Sequence, residues 1–183
     1  AEVTAPIIQD SRLRKLSFTG STPIGKRLIA DAAGQVLRVS MELGGNAPFI
    51  VFDDADLDAA IDGLMISKFR NAGQTCVCAN RVLVQDGVHD VFVAKLVERV
   101  KSLKVGDGSK PGVEIGPLID ERAMAKVTKL AVDAAGAGAV VACGGTPHEA
   151  GKQFFTPTVL TGVSQDMQIA QSEIFGPIAP VIR

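Results

Sequence analysis

Strong charge of either sign is missing from this sequence: 19 Lys and Arg stand against 20 Asp and Glu, a formal net charge of −1 over 183 residues. Nucleic-acid binders concentrate Lys and Arg on one face, so no nucleic-acid partner is expected. Long hydrophobic runs are missing too. Apolar stretches are broken by Gly, Asp or Lys every few positions, and none approaches the roughly 20 residues that cross a bilayer, so no membrane insertion is expected. Cysteine is scarce. Three cysteines are too few and too odd a number for a disulfide framework, and they suit a reduced, cytoplasmic compartment. His89 and His148 stand alone, and Cys76-Val77-Cys78 lacks a second ligand pair at metal-like spacing, so no metal site is expected. The segment Ala1-Glu2-Val3-Thr4-Ala5-Pro6 shows no basic stretch followed by an apolar one, hence no visible secretory signal.

What is present is enough apolar sequence, 46% of residues against 21% charged, for one sizeable core or for one domain and part of a second. Leu13 to Phe18 has strand composition and meets the turn Thr19-Gly20-Ser21-Thr22. Ile24, Leu28 and Ile29 then recur at helical spacing up to Gly34. Strands are predicted over Leu37 to Leu43 and Ala47 to Phe52. Asp56 is placed as the N-cap of a long helix that carries Leu57, Ile61, Leu64, Met65 and Ile66 and runs to Asn71-Ala72-Gly73. Further on come a strand at Arg81 to Gln85, a helix at Val88 to Leu103, a turn-rich loop through Gly116-Pro117 and a helix at Glu121 to Ala135. Strands at Ala139 to Cys143 and Phe154 to Leu160, and a buried run from Pro177 to Arg183, complete the order. Alternation of strands and helices indicates an α/β architecture with a largely parallel sheet. Both ends read as cut rather than finished, which suggests an internal piece of a longer chain.

Two residues invite a chemical reading. Cys76 follows a helix and is flanked by small polar residues, whereas a structural cysteine prefers apolar surroundings. Glu42 ends the apolar strand Val39-Ser40-Met41-Glu42-Leu43 just before two glycines, at the carboxyl edge where α/β sheets bind ligands; partial burial there would raise its pKa toward a base's working range. A packed thiol and a solvated strand end are the bland alternatives.

Four segments in order, Phe18-Thr19-Gly20-Ser21, Glu42-Leu43-Gly44-Gly45-Asn46, Gly73-Gln74-Thr75-Cys76 and Glu173-Ile174-Phe175-Gly176-Pro177, resemble signature blocks of the aldehyde dehydrogenase superfamily. Ile115-Gly116-Pro117-Leu118-Ile119 lies between them. The resemblance implies an aldehyde-dehydrogenase-like catalytic domain over residues 46–183, preceded over residues 1–45 by the last part of a dinucleotide-binding domain. It implies Cys76 as the nucleophile that forms a thiohemiacetal and then a thioester, and Glu42 as the general base that activates water. It places Gly20, Ser21, Leu43, Glu173 and Phe175 against NAD or NADP, and it implies a homo-oligomeric full-length enzyme. Part of the cofactor domain and the second oxyanion donor would precede residue 1, so the chain alone is expected to be silent.

The sequence around Cys76-Val77-Cys78 is similar to members acting on succinate semialdehyde. In these an arginine at the position of Arg70 binds the substrate carboxylate, a task suited to the two parallel donors of a guanidinium. Glutarate semialdehyde or another carboxylated aldehyde fits the same residue. The resemblance also suggests that Cys78 is a redox partner of Cys76; a merely packed thiol is the alternative, and Cys143 is read as structural. A rival of another class comes from Gly20-Ser21-Thr22-Pro23-Ile24-Gly25-Lys26, which matches the first seven positions of a phosphate-binding loop. Arg27 then stands where magnesium needs a hydroxyl, and Pro23 removes an amide donor.

Overall fold

The computed structural model describes residues 3–183, and the chain divides into two compact units, Ala1–Gly45 and Asn46–Arg183. The first holds a short helix α1 (Thr4–Ile8), strand β1 (Lys15–Gly20), helix α2 (Thr22–Ala33) and strand β2 (Arg38–Leu43). The two strands are parallel, with Thr19 opposite Glu42 and Gly20 opposite Leu43. Helix α2 makes the crossover that parallel pairing requires. Ser21 is extended at its N-cap and Pro23 occupies its first turn, where a missing N–H is harmless.

The second unit is a five-stranded sheet in the order β3-β4-β7-β6-β5, built from β3 (Ala47–Val51), β4 (Ala79–Val84), β5 (Val140–Cys143), β6 (Thr158–Thr161) and β7 (Ile178–Ile182). All its pairs are parallel except β5 with β6, in line with the expected largely parallel sheet. The helices are α3 (Leu57–Leu64), α4 (Asp86–Lys101), α5 (Glu121–Gly136) and the single turn α6 (Gln168–Gln171). Every residue of β7 is buried, as a central parallel strand should be. Phe92, Leu96, Val127, Leu160 and Ile174 join it in one continuous core. Among the described residues no helix is long and apolar enough to cross a membrane, and no group of His, Cys, Asp and Glu could hold a metal ion.

Two expectations are corrected. The strand predicted from Phe154 begins only at Thr158, because Pro157 has no N–H to give a ladder and Phe155 instead makes an isolated bridge with Pro147. The helix predicted to run unbroken to Gly73 stays α-helical only to Leu64. A π-helical turn, Met65–Phe69, follows it, and then a tight turn, Arg70–Gly73. Asn71 and Ala72 both take left-handed backbone, φ 54°. Asn tolerates that region; for Ala it is strained, and such strain gathers at functional sites.

Candidate active site

In the first unit, register alone assembles Gly20, Ser21, Glu42 and Leu43 at the carboxyl end of the β1–β2 pair. Leu43 packs on α2 so closely that a methyl group on Gly25 would lie 2.6 Å from Leu43 Cδ2. Ser21 is exposed and its hydroxyl does not cap α2. Glu42 is exposed. The partial burial expected for it is absent in this unit, because a two-stranded sheet offers too little surface to cover a strand end.

In the second unit, Cys76 sits at the corner of a turn closed by the Cys78 N–H donating to the Thr75 carbonyl at 3.2 Å. The turn separates the thiols: Cys76 is exposed, Cys78 buried, and neither is in a disulfide. Gln74, which sequence reasoning left unassigned, anchors the loop. Its Nε2 donates to the Asn71 and Pro117 carbonyls at 3.3 and 3.2 Å, and its Oε1 accepts from the Ile119 N–H at 2.9 Å. Asn71 Nδ2 donates to the Gln74 carbonyl at 3.0 Å. The loop of Cys76 is thus tied to the Ile115–Ile119 segment by one amide side chain.

Gly73, with φ 73°, brings this loop against the segment carrying Glu173 and Phe175: a methyl group there would fall 2.2 Å from the Gly176 carbonyl oxygen. The structure therefore gathers Cys76, Glu173 and Phe175 on two loops in backbone contact. Glu173 Oε1 is buried with no hydrogen-bond partner among the described residues. A buried acceptor without a donor fits a ligand hydroxyl, as a ribose-holding carboxylate requires. Phe175 is 37% exposed and held at φ 56°.

The segment is positioned by Asn80, also missed from sequence. Its side chain, 2% exposed, donates through Nδ2 to Asn46 Oδ1 and to the Ser172 carbonyl, both at 2.5 Å, and accepts from the Ile174 N–H at 2.9 Å. It holds the backbone on either side of Glu173. Arg81 extends the network by donating to the Asn46 carbonyl at 2.8 Å. An asparagine on a strand gives no local sign of such a role, since its partners lie far along the chain.

Arg70 is exposed and has no hydrogen-bond or ion-pair partner among the described residues. It lines a cavity of about 250 Å³ with Phe69, Arg99, Glu114 and Ile115, a space that does not include Cys76. Lys68, two residues earlier, is fully buried, and its Nζ donates to Cys78 Sγ at 3.4 Å. The signal for its burial was present: Ile61, Leu64, Met65 and Lys68 follow the spacing of one helix face.

Comparison with known proteins places the chain in a family. The model of the aldehyde dehydrogenase family matches residues 1–183. The succinate-semialdehyde dehydrogenase [NADP(+)] GabD of Escherichia coli strain K12 is 58% identical over 171 residues, 93% of this chain and 36% of that protein. The glutarate-semialdehyde dehydrogenase of Pseudomonas aeruginosa is 55% identical over 182 residues, 100% of this chain and 38% of that protein. The crystal structure of succinate-semialdehyde dehydrogenase from Burkholderia pseudomallei superposes with a TM-score of 0.97 at 52% identity, covering 99% of this chain and 38% of that one. The chain belongs to the aldehyde dehydrogenase family. It spans under two-fifths of the length of these relatives.

Proposed function

We propose that these residues act within a longer enzyme that oxidises an aldehyde to a carboxylic acid with NAD or NADP, its substrate being succinate semialdehyde. The observation that carries the reading is the exposed Cys76 thiol, on a loop pinned by Gln74 and packed through Gly73 against the segment of the unpartnered Glu173 carboxylate.

Cys76 Sγ attacks the aldehyde carbon as a thiolate, giving a thiohemiacetal, and its backbone N–H faces the developing oxyanion. A bound nicotinamide would supply the hydride acceptor for that carbon, and Cys76 would be left holding the acyl group as a thioester. Glu42 takes a proton from the water that hydrolyses the thioester. Glu173 would accept hydrogen bonds from the nicotinamide-ribose hydroxyls, Phe175 would pack on the nicotinamide end, and Gly20, Ser21 and Leu43 would meet the cofactor at the start of α2. Arg70, without a hydrogen-bond or ion-pair partner among the described residues, would pair with the substrate's distal carboxylate. The name of the Escherichia coli relative favours succinate semialdehyde; the Pseudomonas aeruginosa name favours the longer glutarate homologue, and one guanidinium serves both.

A panel of carboxylated and neutral aldehydes, run on the full-length enzyme with NAD and with NADP, tests the proposal. Turnover that survives in Cys76→Ala, or a preference for neutral aldehydes, would overturn it. The coverage of relatives supports a companion expectation, that the 183-residue chain alone yields no NAD(P)H absorbance.

A further inference from the structure

Lys68 has no solvent-exposed surface, and Cys78 retains 7%. The Lys68 Nζ hydrogen bond goes to Cys78 Sγ at 3.4 Å, and the same sulfur lies 3.6 Å from the Lys68 carbonyl oxygen and 3.4 Å from that of Ala79. Among the described residues no carboxylate pairs with the amine. Buried lysines ordinarily have such a partner, and here burial lowers the amine's pKa, with the neighbouring sulfur opposing that shift. The neutral form of Lys68 carries a nitrogen lone pair in contact with a sulfur that becomes electrophilic once oxidised. Cys78 lies close to the surface, and hydrogen peroxide is small and uncharged.

We propose that Lys68 and Cys78 form an oxidative modification site, in which hydrogen peroxide converts the pair to a reversible covalent Sγ–Nζ sulfenamide. One peroxide oxidises the Cys78 thiol by two electrons to the sulfenic acid and is itself reduced to water. The Lys68 nitrogen then attacks that sulfur; the S–O bond breaks, and hydroxyl leaves with a proton from nitrogen as a second water. Condensation of a sulfenic acid with nitrogen is established cysteine chemistry. A dithiol reductant reverses the bond, regenerating thiol and amine as it becomes a disulfide. The link joins the two ends of the nucleophile's loop and leaves Cys76 itself unmodified. It stands on the Lys68–Cys78 contact alone and is independent of the substrate assignment. It also gives Cys78 a partner other than Cys76, with which a Cys-x-Cys disulfide would close a small ring of poor geometry.

Tryptic peptide mapping of the intact protein after hydrogen peroxide treatment tests this. Trypsin needs a free lysine amine, so the sulfenamide abolishes cleavage after Lys68, joins residues 68 and 78, and leaves the joined peptide lighter by one hydrogen molecule. Dithiothreitol restores both cleavage and mass. A Cys76–Cys78 disulfide shows the same mass loss with cleavage after Lys68 intact, and that outcome overturns the proposal. In Lys68→Met, checked for folding by circular dichroism, Cys78 is expected to proceed to the irreversible sulfinic acid. Equal sulfinic acid in the wild-type protein also overturns the proposal, and the wild-type map decides the matter if the variant does not fold.

Discussion

Gly73 and Gly176 touch backbone to backbone: a methyl group on the first would sit 2.2 Å from the carbonyl oxygen of the second. The contact sets how near the loop of Cys76 comes to the segment of Glu173 and Phe175, and it exists only because Gly73 carries no side chain. The φ of 73° at Gly73 adds a second demand for glycine. Gly73→Ala is therefore expected to lose about 2 kcal/mol or more of stability, with steric overlap and backbone strain acting together. Urea denaturation monitored by circular dichroism reads the change in midpoint, and an unchanged midpoint would mean that the loops part freely.

Asn80→Leu removes both ends of the clasp around Glu173. The Ile174 N–H and the Ser172 carbonyl then lose their partner inside the protein, at about 1–3 kcal/mol for each unsatisfied group. If Glu173 holds the cofactor ribose, the full-length variant should show a KM for NAD(P) raised by more than its KM for aldehyde. A uniform fall in kcat with both KM values unchanged would confine Asn80 to stability.

Arg70→Ala in the full-length enzyme should raise KM for succinate semialdehyde about 10-fold or more, as expected for loss of a charge-assisted pair worth about 1.5–3 kcal/mol. A neutral aldehyde should be little affected. Equal losses for the two substrates would remove Arg70 from recognition.

Lys68 makes stability depend on alkaline pH. Unfolded, it binds a proton below its ordinary value of 10.5; folded, burial holds the pKa lower. Between those two values the unfolded chain binds more protons, so stability rises with pH through that window and levels off above 10.5. Lys68→Met lacks this contribution. The advantage of the variant over wild type, read from thermal midpoints at pH 7 and at pH 10, should shrink as pH rises.

Asp56 caps α3 by accepting from the Asp58 and Ala59 N–H groups at 3.0 and 3.1 Å. Asp56→Ala should destabilise by about 1 kcal/mol, measurable in the same urea titration.

The sequence made local features legible and hid distant ones. Asp56 could be placed as an N-cap because its partners are two and three residues away, and β7 could be seen because a buried parallel strand is a continuous apolar run. Cys76 stands out by its small polar flanks and Gly73 by its place at a helix end, whereas Glu173 and Phe175 are reached only through the family resemblance. Asn80 was invisible because the Ile174 amide it accepts from lies 94 positions away. Lys68 was passed over although it continues the apolar face of α3, since charge outweighs spacing in a reading by residue type. The π-helical turn at Met65–Phe69 has no composition signal, for its residues are ordinary helix formers and the break is enforced downstream at Asn71 and Ala72.

The turn from Thr75 to Cys78 puts neighbouring sulfurs in different media, one in water and one in the core. Cys143 is half covered, with burial pushing its thiol pKa up. A charged alkylating reagent should therefore count one fast site rather than three, and a hydrophilic label can mark the proposed nucleophile in the native protein without removing either of the other thiols.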